Sequence, residues 1–232
     1  MKRFYKEAAS VAADTGFAIH LDGRPVKTPA RNPLHLPTAK LAEAIATEWA
    51  AQDDEIDPAT MPLTALAQGA LDQVAHERNR IVGRIASFSD SDMLYYRGDD
   101  SQQALSDHQA EKWDPLLGWA RTRYDVSFTL THGIMHQSQS EQTIARLSEA
   151  VEAQDDFTLA AMLSLVGLAG SLIAVLALVE NAYDADTLWP LMNLEELWQE
   201  QQWGSDDLAT QTRAVKQAEF HSAVQFLVLS RT

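Results

Sequence analysis

An α+β fold is predicted, with a small N-terminal antiparallel sheet-plus-helix domain followed by a larger all-α domain. Three observations predict it. The convincing strand signals lie in the residues up to Leu36, helical periodicity fills almost everything beyond, and an acidic loop at 53–58 separates the two. The boundary falls between residues 57 and 58, giving domains 1–57 and 58–232.

The strands come first. Phe17, Ile19 and Leu21 alternate with Ala18 and His20, the period-two pattern of a half-buried strand. Asp22-Gly23 is a two-residue hairpin turn, because both central positions need positive φ. Residues 24–28 return, and Pro25, which has no N–H, places that strand at an edge. Residues 34–36 offer a third strand. Thr38 then caps a helix whose stripe of Leu41, Ala44, Ile45, Glu48 and Trp49 ends on a large indole.

Further helices are expected over 63–74, 76–88, 101–124, 141–154, 157–166, 171–180, 185–203 and 206–229. The 101–124 helix should break near Asp114-Pro115, since proline suits a first helical turn and not an interior. Residues 95–96 and 126–130 are weaker candidates for short strands. Residues 159–179 carry no charge and are long enough to span a bilayer. Gly167 and Gly170 interrupt them, however, and both flanks are acidic, without the Lys/Arg bias that orients a spanning helix. Two buried core helices around a glycine bend are the expectation.

Composition limits the chemistry. The 232 residues contain no cysteine, which excludes disulfides and thiol catalysis. Net charge is −15, a surface that repels phosphate backbones and anionic headgroups, so nucleic acid and membrane are poor partners. The acid is concentrated. Between Arg146 and Arg213 there is no Lys or Arg and there are twelve acids, while the rest of the chain holds 18 basic and 21 acidic residues. This third is either a solvated face or an electrostatic docking surface.

Catalytic and metal motifs fail on inspection. His132 and His136 stand four apart, but Gly133 lies between them and no third ligand is near, so no metal site is expected. The 23–28 stretch lacks the second glycine of a phosphate loop, and the 53–57 acids lack an EF-hand's glycine and closing glutamate. Glu195 and Glu196, adjacent on a helix, diverge by ~100° and would not face one substrate bond. No catalytic residue and no cofactor is expected.

The 194–204 helix reads better as a contact element. Leu194, Leu197, Trp198 and Gln201 form the stripe expected to face the core. Glu196, Glu200 and Trp203 form a second stripe that is either a docking edge or, with Trp203 in the core, a solvating face. Trp49 and Trp113 read as packing residues. Arg24 and Lys27, on the hairpin edge, would meet acids on a partner or on this chain's own helices.

Five blocks then carry a resemblance. RFY followed by GFAIHLDGRPVKTPA, the 36–52 block ending EWAAQ, the 56–72 block containing MPLT, WDPLLGW at 113–119 and LEELWQEQQWG at 194–204 occur in this order across nearly the whole chain. The set resembles the ATP-synthase assembly-factor-twelve family. The resemblance implies a non-enzymatic chaperone that holds the free α subunit of the ATP-synthase catalytic head until it pairs with β. It also implies that Glu196, matching the family's acid, matters for chaperone action, with Glu195 replacing the more usual Asp; the docking face is then expected on the acidic helices, with Glu196 central and Glu195, Glu200 and Trp203 beside it. For Trp49 it implies a part in fold integrity or in the junction between domains. The absence of an apolar or Arg/Ser-rich leader suggests a bacterial cytoplasmic member or a trimmed chain, organellar relatives being expected in the mitochondrial matrix. The alternative is a small-molecule-binding or hydrolytic protein using a cleft between the two domains.

Overall fold

A computed structural model describes residues 1–231. It divides into two compact units. One comprises Met1–Asn79, Asp155–Ala161 and the residues from His221 on; the other comprises Arg80–Gln154 and Met162–Phe220. The sequence-derived boundary at 57/58 lies inside the first unit.

The first unit holds the sheet. Strands β1 (Ala8–Ala12), β2 (Phe17–Leu21) and β3 (Arg24–Pro25) are antiparallel neighbours in that order, and β4 (His35–Leu36) also pairs with β2. The Asp22-Gly23 turn has positive φ at both positions, as a twist-matched hairpin requires. The Asp22 carboxylate accepts N–H bonds from Lys6 and Glu7 at 3.0 and 2.9 Å, and these hold its pKa below the ordinary carboxylate value. Strand β1 was not anticipated, because Ala8–Ala12 is built of small residues without alternation.

Gly16, with φ near +81°, makes the entry to β2, and a Cβ there would lie 2.3 Å from the Leu36 carbonyl oxygen. Gly16→Ala is expected to destabilise the protein by roughly 2–3 kcal/mol, seen as a lower Tm, because it strains φ and displaces β4 together. Gly69→Ala is the control: it lies in helix with nothing within 4 Å of the added carbon, and should be neutral or mildly stabilising.

Helix α1 (Ala39–Ala50) starts at Thr38, whose Oγ1 accepts the Leu41 N–H, and buries Leu41, Ile45 and Trp49. The EWAAQ block proves architectural. Glu48 accepts the N–H groups of Leu63 and Thr64 at 2.7 and 2.8 Å and so caps α2 (Pro62–Gly69), with burial pushing its carboxyl pKa up. Gln52 bonds Thr60 Oγ1 and accepts the Asp57 N–H, fixing the loop between them. The Trp49 carbonyl accepts the Tyr5 hydroxyl at 2.7 Å, while its indole N–H is buried without a partner among the described residues. Past α2 a π-helical turn, Ala70–Val74, presents Asp72 to Thr28, Ala30 and Asn32. The Ile81-bearing helix α3 (Ala75–Ala86) then follows with a kink at Glu77.

The second unit is helical apart from one parallel pair, β5 (Tyr96–Arg97) with β6 (Thr131–His132). After the short α4 (Phe88–Ser91) comes α5 (Gln103–Tyr124), 22 residues without the break expected at Pro115. Pro115 is exposed, so the carbonyl it leaves unbonded can face water, while Trp113, Leu116, Leu117 and Ala120 bury the opposite face. Trp113 is fully buried and donates its indole N–H to the Leu191 carbonyl at 2.8 Å, a structural role.

After α6 (Glu141–Glu152), the uncharged segment folds as expected into α7 (Asp156–Ala169) and α8 (Leu172–Val179) around Gly170 at φ +65°. Among the described residues no helix is long and apolar enough to cross a membrane. The single helix expected over 185–203 is two, α9 (Ala185–Met192) and α10 (Leu194–Trp203), broken at Asn193, whose side-chain amide donates to the Trp189 carbonyl at 2.8 Å. Finally α11 (Asp207–Leu229) contributes to both units, as do α3 and α7.

One buried acid anchors the second unit. Asp92 is fully buried and accepts from Leu94 N, Ser171 Oγ and Ile173 N, each at 3.0 Å, clamping the turn before β5 onto the N-terminus of α8. Desolvation pushes its pKa up to about 6 despite those bonds.

Candidate functional site

The strongest candidate is the hairpin of α10 and the first half of α11, joined through Gly204 at φ +92°. Asp206 starts α11 by accepting the N–H groups of Leu208 and Ala209. Arg213 projects from α11 between two acids of α10. Its Nη1 lies 2.8 Å from Glu196 Oε1 and its Nη2 lies 2.5 Å from Glu200 Oε2. The Arg213 side chain is only 13% exposed, so one guanidinium satisfies two carboxylates and ties the helices together.

Glu195 takes a different partner. Its Oε1 accepts the Gln109 side-chain N–H at 2.7 Å, and Gln109 in turn accepts the Gly98 N–H at 2.8 Å, so Glu195 fastens α10 to α5. His108 and Trp198 stack beside this link, with ring centroids 5.1 Å apart. Leu194 is buried, as expected, and Leu197 and Trp198 are half-buried, but Gln201 is exposed rather than part of the core face. Adjacent Glu195 and Glu196 diverge as helical geometry requires and bind separate groups.

Trp203 does not lie in the core: it is 80% exposed. Leu208 and Val215 are exposed on α11 at 73% and 60%. An indole and two aliphatic side chains in solvent on one small hairpin are the kind of surface that association covers. Glu195 and Glu196 also border a groove of about 500 Å³ with Met93, Tyr96 and Met192.

The acidic third of the chain is not a free field of charge. Asp155, Asp184 and Asp206 cap helix N-termini, and Asp156, Glu180, Glu196 and Glu200 pair with Arg78, Arg123 and Arg213. Many of its acids therefore serve the fold. Arg24 and Lys27 are exposed and form no ion pair among the described residues.

The two histidines take separate partners. His132 Nδ1 lies 3.1 Å from the Gly98 carbonyl oxygen, whereas His136 meets Tyr96 Oη at 3.1 Å and Asp90 at 3.2 Å. Among the described residues no three His, Cys, Asp or Glu side chains gather as ligands.

Comparison with known proteins agrees with this geometry. A profile of the ATP12 chaperone protein family matches residues 2–121. The mitochondrial protein atp12 of Schizosaccharomyces pombe is 26% identical over 215 residues, covering 88% of this chain and 74% of that protein. The crystal structure of Atp12 from Paracoccus denitrificans superposes with a TM-score of 0.93 at 37% identity, covering 99% of this chain and 98% of that one. A chaperone-like protein of Agrobacterium tumefaciens matches with the same TM-score at 36% identity, over 98% of this chain and 85% of that one. The order of sheet, helices and α10–α11 hairpin, together with these likenesses, leads to one conclusion: the chain belongs to the ATP12 chaperone family and acts as a chaperone, not an enzyme.

Proposed function

We propose that this chaperone binds the free α subunit of the ATP-synthase catalytic head, shields the surface that β later covers, and releases it on α–β pairing. ATP-synthase assembly is the role of the family to which the chain belongs; the α subunit as client is the finer reading, supported by the ordered motif blocks. In this reading the docking surface is the α10–α11 hairpin, with Glu196, Glu195, Glu200 and Trp203 at or beside the contact. The observation that carries it is Trp203, left 80% exposed at the end of a helix whose acids are otherwise engaged.

The physical task fits such a surface. An unpartnered subunit exposes apolar area that aggregates unless covered. A cover needs no ATP if its affinity lies below that of the permanent partner, since exchange then follows the difference of binding free energies. Trp203→Ala tests the site. Its unfolding free energy should match that of the parent within about 0.5 kcal/mol, because the side chain packs little, while affinity for the α subunit should drop by about tenfold or more. Unchanged affinity would remove Trp203, and with it the hairpin tip, from the contact.

A further inference from the structure

The N-terminal unit contains a second surface that the hairpin does not explain. A cleft of about 620 Å³ is lined by Phe4, Tyr5, Val26 and Trp49, with Arg24 and Lys27 among its walls. Phe4 is 66% exposed there although it contributes only an edge contact to Tyr5. The lining comes almost wholly from the motif blocks at the start of the chain, and Phe4, Arg24 and Lys27 are exposed.

The charge at the cleft runs against that of the whole protein. Net charge is −15, yet this cleft presents two cations that form no ion pair among the described residues. Asp22, the acid among its lining residues, accepts the N–H groups of Lys6 and Glu7, which keep it ionised, so it offsets part of that charge, chiefly beside Arg24. The cleft therefore offers apolar volume with more positive than negative charge in its walls. Strand addition at the sheet edge is disfavoured, because Pro25 has no N–H to donate. Recognition must work through side chains, and the volume suits one or two large ones.

We propose that this cleft is a second protein-docking site whose occupant is a peptide segment carrying an aromatic or aliphatic side chain flanked by carboxylates. The apolar side chain enters between Phe4, Tyr5 and Trp49, and the carboxylates meet Arg24 and Lys27. This site is separate from the α10–α11 hairpin and does not depend on which subunit the hairpin binds.

Fluorescence anisotropy with the full chain tests it, using a short labelled peptide with a central Leu-Phe pair flanked by glutamates and the same peptide with lysines instead. The glutamate peptide should bind at least about tenfold more tightly, and the difference should shrink as salt rises. Arg24→Glu with Lys27→Glu should remove that preference, and Phe4→Ala should weaken binding of the glutamate peptide several-fold. All three positions are exposed, so melting curves should be unchanged. Trp203→Ala should leave peptide binding intact, which separates this site from the hairpin. Equal binding of the two peptides, failure of the glutamate peptide to saturate, or indifference to the double reversal would overturn the proposal. So would sedimentation showing that the cleft is filled by a second copy and that the reversal produces a monomer.

Discussion

Glu196→Lys is expected to weaken client binding by at least about tenfold, and to do so chiefly by releasing the hairpin rather than by losing a contact with the client. In the parent, Arg213 is held by Glu196 and Glu200 together, joining α10 to α11 across Gly204. A lysine at this position sets an ammonium against a guanidinium that is only 13% exposed, so attraction becomes repulsion where solvent screens it poorly. The first half of α11 has little else to hold it: from Asp207 to Glu219 only Ala209 and Arg213 are even half-buried. Hydrogen exchange over 205–219 should therefore accelerate in the variant, while the Tm of the remainder changes little. The reciprocal set Glu196→Lys, Glu200→Gln and Arg213→Glu rebuilds one ion pair with opposite polarity. It should recover most of both losses. If hairpin protection returned while client binding did not, Glu196 would be a direct contact instead of a clasp.

The second large effect concerns stability. Asp92→Ala is expected to destabilise the protein by roughly 3 kcal/mol or more, measured by denaturant unfolding. Removing the carboxylate strands three buried donors, Leu94 N, Ser171 Oγ and Ile173 N, in a place without room for solvent. The same group makes stability depend on pH. Its folded pKa, about 6, lies above the ordinary carboxylate value, so the folded state binds the proton more tightly than the unfolded chain. Its contribution is therefore greatest below the unfolded pKa and is lost as pH rises through about 6. Groups with lowered pKa, such as Asp22 and Asp72, push the other way. Subtracting the pH profile of Asp92→Asn from that of the parent isolates the slope. A flat difference between pH 4 and 7 would mean that Asp92 is not desolvated as its burial implies.

Much of the fold was legible because local chemistry and tertiary structure agree. Asp22-Gly23 forms the turn its residues require, Thr38 caps α1, and Gly170 separates α7 from α8. The errors share a cause: tertiary contacts overrode a local rule. Pro115 does not break α5, since the buried face holds the helix through one missing bond. Asn193 breaks a pattern that is continuous by periodicity, and β1 forms from small residues only because β2 offers it an edge.

The site was half legible. Spacing placed Glu196, Glu200 and Trp203 on one stripe, which they are, but could not show that the two acids share a cation 13 and 17 residues away. A signal existed. Arg213 is the residue that ends the long stretch free of Lys and Arg, so it was the nearest cation following those acids. Asp92 gave no such hint, because one aspartate in a polar run looks like any turn residue until its burial is known.

The central claim is that this chaperone's client is the α subunit. The most direct measurement is to mix the tagged chain with purified α and β subunits separately at moderate salt and determine which is retained. The α subunit should be held, β should not, and added β should release α from the parent chain. Retention of β in preference to α, or of neither, would contradict that claim.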